Sequence, residues 1–292
     1  MRQSPITIKT PDVQAQLPSL RVGLSRVGVT GVEKVIRIRQ DGEEQLFYAR
    51  LDCFVDLGAA QKGAHMSRFE EVINEAIGEV VLGEANFTAE TLAQQIAERV
   101  RERQGARRAE VTIAARYPEH KPAPVSGINT QEIYTLYGSA VAGERGTRRL
   151  VGVAAQGITA CPCAQEMIAA GARERLVAQG YEEAQIDGIL AAVPVASHNQ
   201  RGLGTLRVGL PEGDSTVLDA GTLLAIVEGA MSSEIYELMK RDDEAAVVEK
   251  AHGRPRFVED CVREMIRGIA LGLPQLGPDC FISAQQENLE TI

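Results

Sequence analysis

Leu46-Phe47-Tyr48-Ala49-Arg50-Leu51-Asp52-Cys53-Phe54-Val55 is the stretch that decides the fold class. It is an extended, β-rich run. Upstream, Ser19-Leu20 opens an alternation through Val22 and Leu24, and Val35-Ile36-Arg37-Ile38-Arg39 continues the extended character up to Asp41-Gly42, a hairpin signal. Downstream the period changes. Phe69, Val72, Ile73, Ala76, Ile77 and Val80 form one helical stripe, and Thr88 opens a second helix with Leu92, Ile96 and Val100 on one side. Extended patterns return at Ala109–Tyr117 and Ile133–Tyr137. The order is strands, helix, helix, strand, strand.

Gly143-Glu144-Arg145-Gly146 reads as a boundary, which gives an N-terminal module over 1–145 and a C-terminal module over 146–292. In the second module, Leu150–Ala155 is a strand that delivers Cys161 beyond its far end. Helices follow at 164–179 and 182–192, then a strand at Gly204–Leu210. Amphipathic helices are expected over Leu223–Lys240 and Phe257–Leu273, with a last strand at Cys280–Ala284. Neither half has a βαβ rhythm. The expected class is α+β, with antiparallel sheet and helices on one face.

Composition narrows the function. The chain of 292 residues has 31 Lys and Arg against 40 Asp and Glu, a net charge of −9, which argues against a general nucleic-acid-binding surface. A local pocket for one anionic ligand is compatible with that balance. No apolar run approaches the roughly 18 to 20 residues of a membrane helix, and the start, Met1-Arg2-Gln3-Ser4-Pro5, leads into no signal core, so a cytoplasmic protein is expected. Five cysteines suit thiols better than a disulfide framework. The P-loop and Rossmann glycine motifs are absent.

Two stretches carry chemistry. Thr159-Ala160-Cys161-Pro162-Cys163 places a thiol pair after a strand and before a helix. A thiolate binds zinc-class ions and is favoured at a helix N-terminus. A buried cysteine at a strand end is the ordinary alternative. His198 lies in Ser197-His198-Asn199-Gln200-Arg201-Gly202, and a cysteine and a histidine on separate elements can share one ion. In Gly63-Ala64-His65-Met66-Ser67-Arg68-Phe69, Ser67 can cap the following helix and Arg68 can reach an anion there; an ordinary cap with a solvated arginine reads equally well. Glu244 and Glu259 flank a mixed-charge region between two helices, and spacing alone selects neither. Cys53, Cys261 and Cys280 have apolar neighbours and read as core.

Gly63–Arg68, Thr159–Cys163, His198–Arg201 and Phe257-Val258-Glu259-Asp260, with the closing run Gln286–Ile292, together resemble the type IB GTP cyclohydrolase family, in one order across nearly the whole chain. The Cys-Pro-Cys-Ala-Gln wording is similar to its archaeal methanopterin-pathway branch more than to the bacterial folate-pathway one. The resemblance implies a tunnelling fold (T-fold) of two modules, a homotetramer with interfacial active sites, and GTP as substrate. It implies a divalent metal, Zn²⁺, Fe²⁺ or Mn²⁺, held by Cys161, His198 and Glu244, with Cys161 and His198 catalytic. It makes Glu259 the anchor of the guanine ring; His65, Ser67 and Arg68 are candidates for the triphosphate or for a neighbouring subunit's pocket, and Arg201 is another candidate. The implied reaction opens the guanine imidazole ring, releases formate and yields a 7,8-dihydroneopterin phosphate, as triphosphate or 2′,3′-cyclic phosphate. In that family the closing run leads into a histidine-containing tail; this sequence ends at Ile292. The alternatives are a nitrile reductase of the same fold, acting on a deazaguanine with NADPH through a nucleophilic thiol, and a purine-binding relative without catalysis.

Overall fold

A computed structural model describes residues 12–40, 43–80, 88–214 and 216–290. The elements run β1 (Leu24–Gln40), β2 (Glu43–Leu57), α1 (Met66–Val80), α2 (Ala89–Gln104), β3 (Ala109–Pro122), β4 (Asn129–Ala142), β5 (Thr147–Ala160), α3 (Pro162–Ala178), α4 (Glu183–Ala192), β6 (Asn199–Leu210), α5 (Ala220–Ala230), β7 (Ser233–Glu234), α6 (Arg241–Gly253), α7 (Val258–Gly272) and β8 (Phe281–Asn288). The strands hydrogen-bond in the order β1-β2-β3-β4-β5-β6-β8, with β7 on β5. This is the α+β architecture expected from the sequence.

The chain divides into two compact units, Met1–Ile113 with Gly138–Arg149, and Ala114–Tyr137 with Leu150–Ile292. The cut read from the sequence at 145/146 lies within the Gly138–Arg149 part of the first unit. β3, β4 and β5 each have 14 residues, roughly 45 Å of extended chain. Each contributes to both units, so the units part across strands and not at the Gly143–Gly146 turn.

In the first unit, β1 and β2 pair antiparallel with Gln40 opposite Glu43; the turn residues Asp41 and Gly42 lie outside the described residues. The alternation from Ser19 to Val22 precedes β1 and forms no strand. The pairing slips between Val29 and Val32. There Gly31 sits at φ +65° and gives its N–H to the Asp52 carboxylate at 2.7 Å, a backbone state that glycine reaches without a Cβ clash. Of the helical stripes, Phe69, Val72, Ile73 and Ala76 of α1 and Leu92, Ile96 and Val100 of α2 are fully buried, Ile77 is half-buried, and the Val80 side chain lies outside what is described. Together with Phe47, Leu51 and Cys53 the fully buried residues form the apolar interior of this unit.

The second unit has its own core, built from Val153 and Ala155 of β5, Leu206 and Val208 of β6, Leu223 and Val227 of α5, and Cys261, Met265 and Ile269 of α7. The helix expected over Leu223–Lys240 is shorter than that. α5 stops at Ala230, Met231 turns extended, and Ser233–Glu234 pairs with Gly157–Ile158 of β5. Tertiary pairing overrides the helical pattern here. The mixed-charge region that followed is itself a helix, α6, with Val247 and Ala251 facing inward.

Candidate functional site

The end of β5 is where the candidate residues gather. Thr159 and Ala160 are buried, so their polar main-chain atoms require partners. The Ala160 N–H donates to Ser232 Oγ at 3.1 Å, and its carbonyl accepts the Arg256 N–H at 3.0 Å. The Cys161 N–H donates to the His198 carbonyl at 3.1 Å. The Cys161 carbonyl accepts Ser197 Oγ–H at 2.6 Å and the Gln165 N–H at 3.3 Å. Thus the chain fixes the main chain of Cys161 and His198 side by side, although 37 positions separate them (198 − 161). The same bonds bring the start of the Arg256–Glu259 segment to Ala160.

Cys161 itself stands just before α3, with Pro162 at the first helical position, where its missing N–H costs nothing. Its thiol is half-buried and that of Cys163 is exposed. Cys53 and Cys261 are core residues, as expected. Burial pushes the Cys53 thiol up to about 12 and that of Cys261 to about 11, so both stay protonated and inert. Cys280, expected in the core, is only half-buried.

His198 opens toward solvent, with Nδ1 beside the Gln200 amide. Glu259 is exposed in the first turn of α7. Arg201 is exposed at the start of β6, 3.3 Å from Gln156 Oε1, and its carbonyl accepts the Leu289 N–H. Glu244 is exposed in the first turn of α6. Among the described residues no three His, Cys, Asp or Glu side chains form a cluster able to hold a metal ion. Hydrogen bonding thus joins the main chains of two of the three expected donors, Cys161 and His198, while Glu244 stands on α6. Helix geometry sets its distance from that loop. His252, in the last turn of α6, touches Ser197, and Glu244 lies eight residues back along that helix, about 12 Å. As a donor pair, a thiol and an imidazole fit zinc, iron or manganese in type, as part of a set that needs at least one more ligand.

His65, Ser67 and Arg68 belong to the first unit. Ser67 does not cap α1. The helix begins at Met66, and the His65 carbonyl accepts the Arg68 N–H. Arg68 donates to the Arg103 carbonyl at 2.8 Å, and the main chain of His65 is held by both ends of the Gln104 amide. The cleft of this unit lined by Glu98, Arg101, Glu102 and Arg145 contains none of the candidates.

Sequence reasoning missed the residues that hold the others in place. Asp243, wholly buried, accepts the N–H groups of Val125, Ser126 and Lys240 and the Ser126 hydroxyl, all at 2.7 to 2.8 Å. Burial alone would push its carboxyl up; the four bonds outweigh that and hold it well below the usual carboxylate range. Asn288 donates to Thr159 Oγ at 2.9 Å, two residues before Cys161. It passes Gly202, where a Cβ would lie 2.3 Å from Gln286 Nε2 and 2.9 Å from Asn288 Oδ1. The signals were faint: His252 is one of only four histidines, and Asp243 is one more acid in an acidic stretch.

With that geometry in hand, the comparisons with known proteins decide the family. Residues 10–292 match the family described as type I GTP cyclohydrolase folE2. The chain belongs to this GTP cyclohydrolase family. It is 37% identical over 288 residues to GTP cyclohydrolase MptA of Methanococcus maripaludis (strain C5), covering 96% of this chain and 91% of that one. It is 38% identical over 288 residues to GTP cyclohydrolase MptA of Methanothermobacter thermautotrophicus, covering 97% and 89%. A solved uricase from Arthrobacter globiformis aligns over 91% of this chain and 94% of its own at 8% identity and a TM-score of 0.45, a likeness too slight to bear on function. No helix among the described residues is long and apolar enough to cross a membrane.

Proposed function

We propose that this chain is a metal-dependent GTP cyclohydrolase that opens the guanine imidazole ring of GTP, releases formate and forms a dihydroneopterin phosphate for pterin biosynthesis. The observation that carries the reading is the family match over residues 10–292, and it is supported by the Cys161–His198 main-chain bond, which joins the backbones of the two proposed donors. The relatives named above, GTP cyclohydrolases MptA of methanogens, support the methanopterin side of the pathway over the folate side.

Each residue has a task in this reading. Cys161 and His198 hold a divalent ion, and Glu244 completes the donor set within a homotetramer whose active sites lie between subunits. The ion supplies Lewis acidity to the hydrolysis. Glu259, exposed at the first turn of α7, offers two carboxylate oxygens to the guanine ring N–H and the exocyclic amine. Arg201 provides a guanidinium at the same end of the second unit, and His65, Ser67 and Arg68 are the remaining triphosphate candidates.

The test is incubation of the full-length protein with GTP and Zn²⁺, Mn²⁺ or Fe²⁺. Formate release and a pterin that fluoresces after oxidation, both lost with a chelator, are the expected result. Neither product with any of the three ions overturns the reading.

A further inference from the structure

The segment 193–198 between α4 and β6 carries His198 and has no regular structure before Asn199. A segment of that kind holds a position only if other groups fix its main chain. Apolar packing is not what fixes it: Val193 is 60% exposed, and α3, which borders it, buries none of its residues. Two polar side chains fix it instead. Gln165, in the first turn of α3, spends both protons of its amide on carbonyl oxygens, Val195 at 2.7 Å and His252 at 2.6 Å. His252, buried at the end of α6, stands with Nε2 3.1 Å from the Ser197 carbonyl and Nδ1 2.9 Å from the Val248 carbonyl. With its proton on Nε2 the ring donates to Ser197. Ser197 in turn donates its hydroxyl to the Cys161 carbonyl.

We propose that Gln165 and His252 form a latch that sets the main chain of 195–198 and, through it, the place of His198 beside Cys161. Both are positioning residues: each acts on main-chain carbonyls and neither is assigned a contact with substrate. The latch joins the N-terminal turn of α3, the C-terminal turn of α6 and the loop before β6. Its consequence for the ion rests on the function proposed above; its consequence for the loop does not. Groups that orient metal ligands in this way are worth about 10- to 100-fold in metal affinity when removed.

Three substitutions test it. Gln165→Glu keeps the shape and turns a donor into an acceptor facing two carbonyl oxygens. His252→Gln keeps an N–H at the reach of Nε2, toward Ser197. His252→Asn keeps one only at the reach of Nδ1, toward its own helix. Hydrogen exchange of the full-length chain, read by mass spectrometry on peptides covering 160–165 and 193–200, should rise for Gln165→Glu and His252→Asn and stay near wild type for His252→Gln. Thermal midpoints are measured alongside, to separate local opening from general loss of stability. Cobalt(II) titration, followed by thiolate-to-cobalt absorption, should weaken about tenfold or more for the first two variants and little for His252→Gln. Unchanged exchange in both peptides for Gln165→Glu, or equal behaviour of His252→Gln and His252→Asn, overturns the latch. Absence of thiolate-to-cobalt absorption in the wild-type protein overturns the metal reading instead, and the exchange measurements then still decide the latch.

Discussion

Asp243 grips Ser126 twice, through its main-chain N–H at 2.8 Å and its hydroxyl at 2.7 Å. The bond ties the turn between β3 and β4 to the start of α6, one residue before Glu244. Because the folded carboxyl titrates below its unfolded value, the stabilisation is fully present above the ordinary aspartate pKa of about 3.9 and is lost as pH falls through the folded value. Asp243→Asn should therefore lower the thermal midpoint at pH 7. The gap to wild type should narrow as pH falls from about 5 toward 2. A gap that stays constant across that range would assign the stabilisation to packing.

The thiols differ enough in surroundings to be told apart chemically. A small alkylating reagent at pH 8 should modify Cys163 in the native protein and leave Cys53 and Cys261 untouched until denaturant is added, since both are buried with raised pKa values. Added Zn²⁺ should slow modification of Cys161 and not of Cys163. Equal protection of the two would assign the ion to the pair of sulfurs, and protection of neither would remove Cys161 from the donor set. Peptide mass mapping reads each outcome.

Loss of a donor should be severe and loss of the guanine anchor selective. Cys161→Ala and His198→Ala are expected to lower kcat/KM for GTP by at least about 100-fold with little change in thermal midpoint, since both side chains lie off the core. Glu259→Gln should raise KM for GTP about 10-fold or more, in keeping with a hydrogen-bonded charge. Inosine triphosphate lacks the exocyclic amine. The wild-type preference for GTP over it should shrink in Glu259→Gln, measured as the ratio of kcat/KM values.

Gly202 gives a packing test at a position that carries no side chain of its own. A methyl group there meets Gln286 and Asn288 at 2.3 and 2.9 Å. Gly202→Ala should turn the flexible ends of Gln286 and Asn288 aside, loosen the Asn288–Thr159 bond and cost about 1 kcal/mol, read from denaturant unfolding. Restoring space with Gly202→Ala/Gln286→Ala should recover part of the loss; no recovery would locate the strain elsewhere.

How far the sequence could be followed depends on what kind of contact set each feature. Phe69-x-x-Val72-Ile73-x-x-Ala76 announced α1 because burial of one stripe is a local, periodic demand. Ser232 and Ser233 gave no such signal. They leave the helix because β5 offers Ala160 and Ile158 as partners, and a partner about 75 residues upstream is invisible in a local pattern. That Cys161 and His198 would meet along the main chain was suggested by how few thiols and imidazoles this chain has. Gln165 and His252 were not legible, because they bind carbonyl oxygens, which every residue carries.

One more property follows from the helical hairpin between Cys161 and His198. α3 buries nothing, α4 buries only Ile186, and the turn at Gly180 has open space around it. Selection for a folded core thus weighs lightly on most of this excursion. Its tip is the natural place to graft a reporter dye or to exchange one lineage's segment for another's, provided Gln165 is kept.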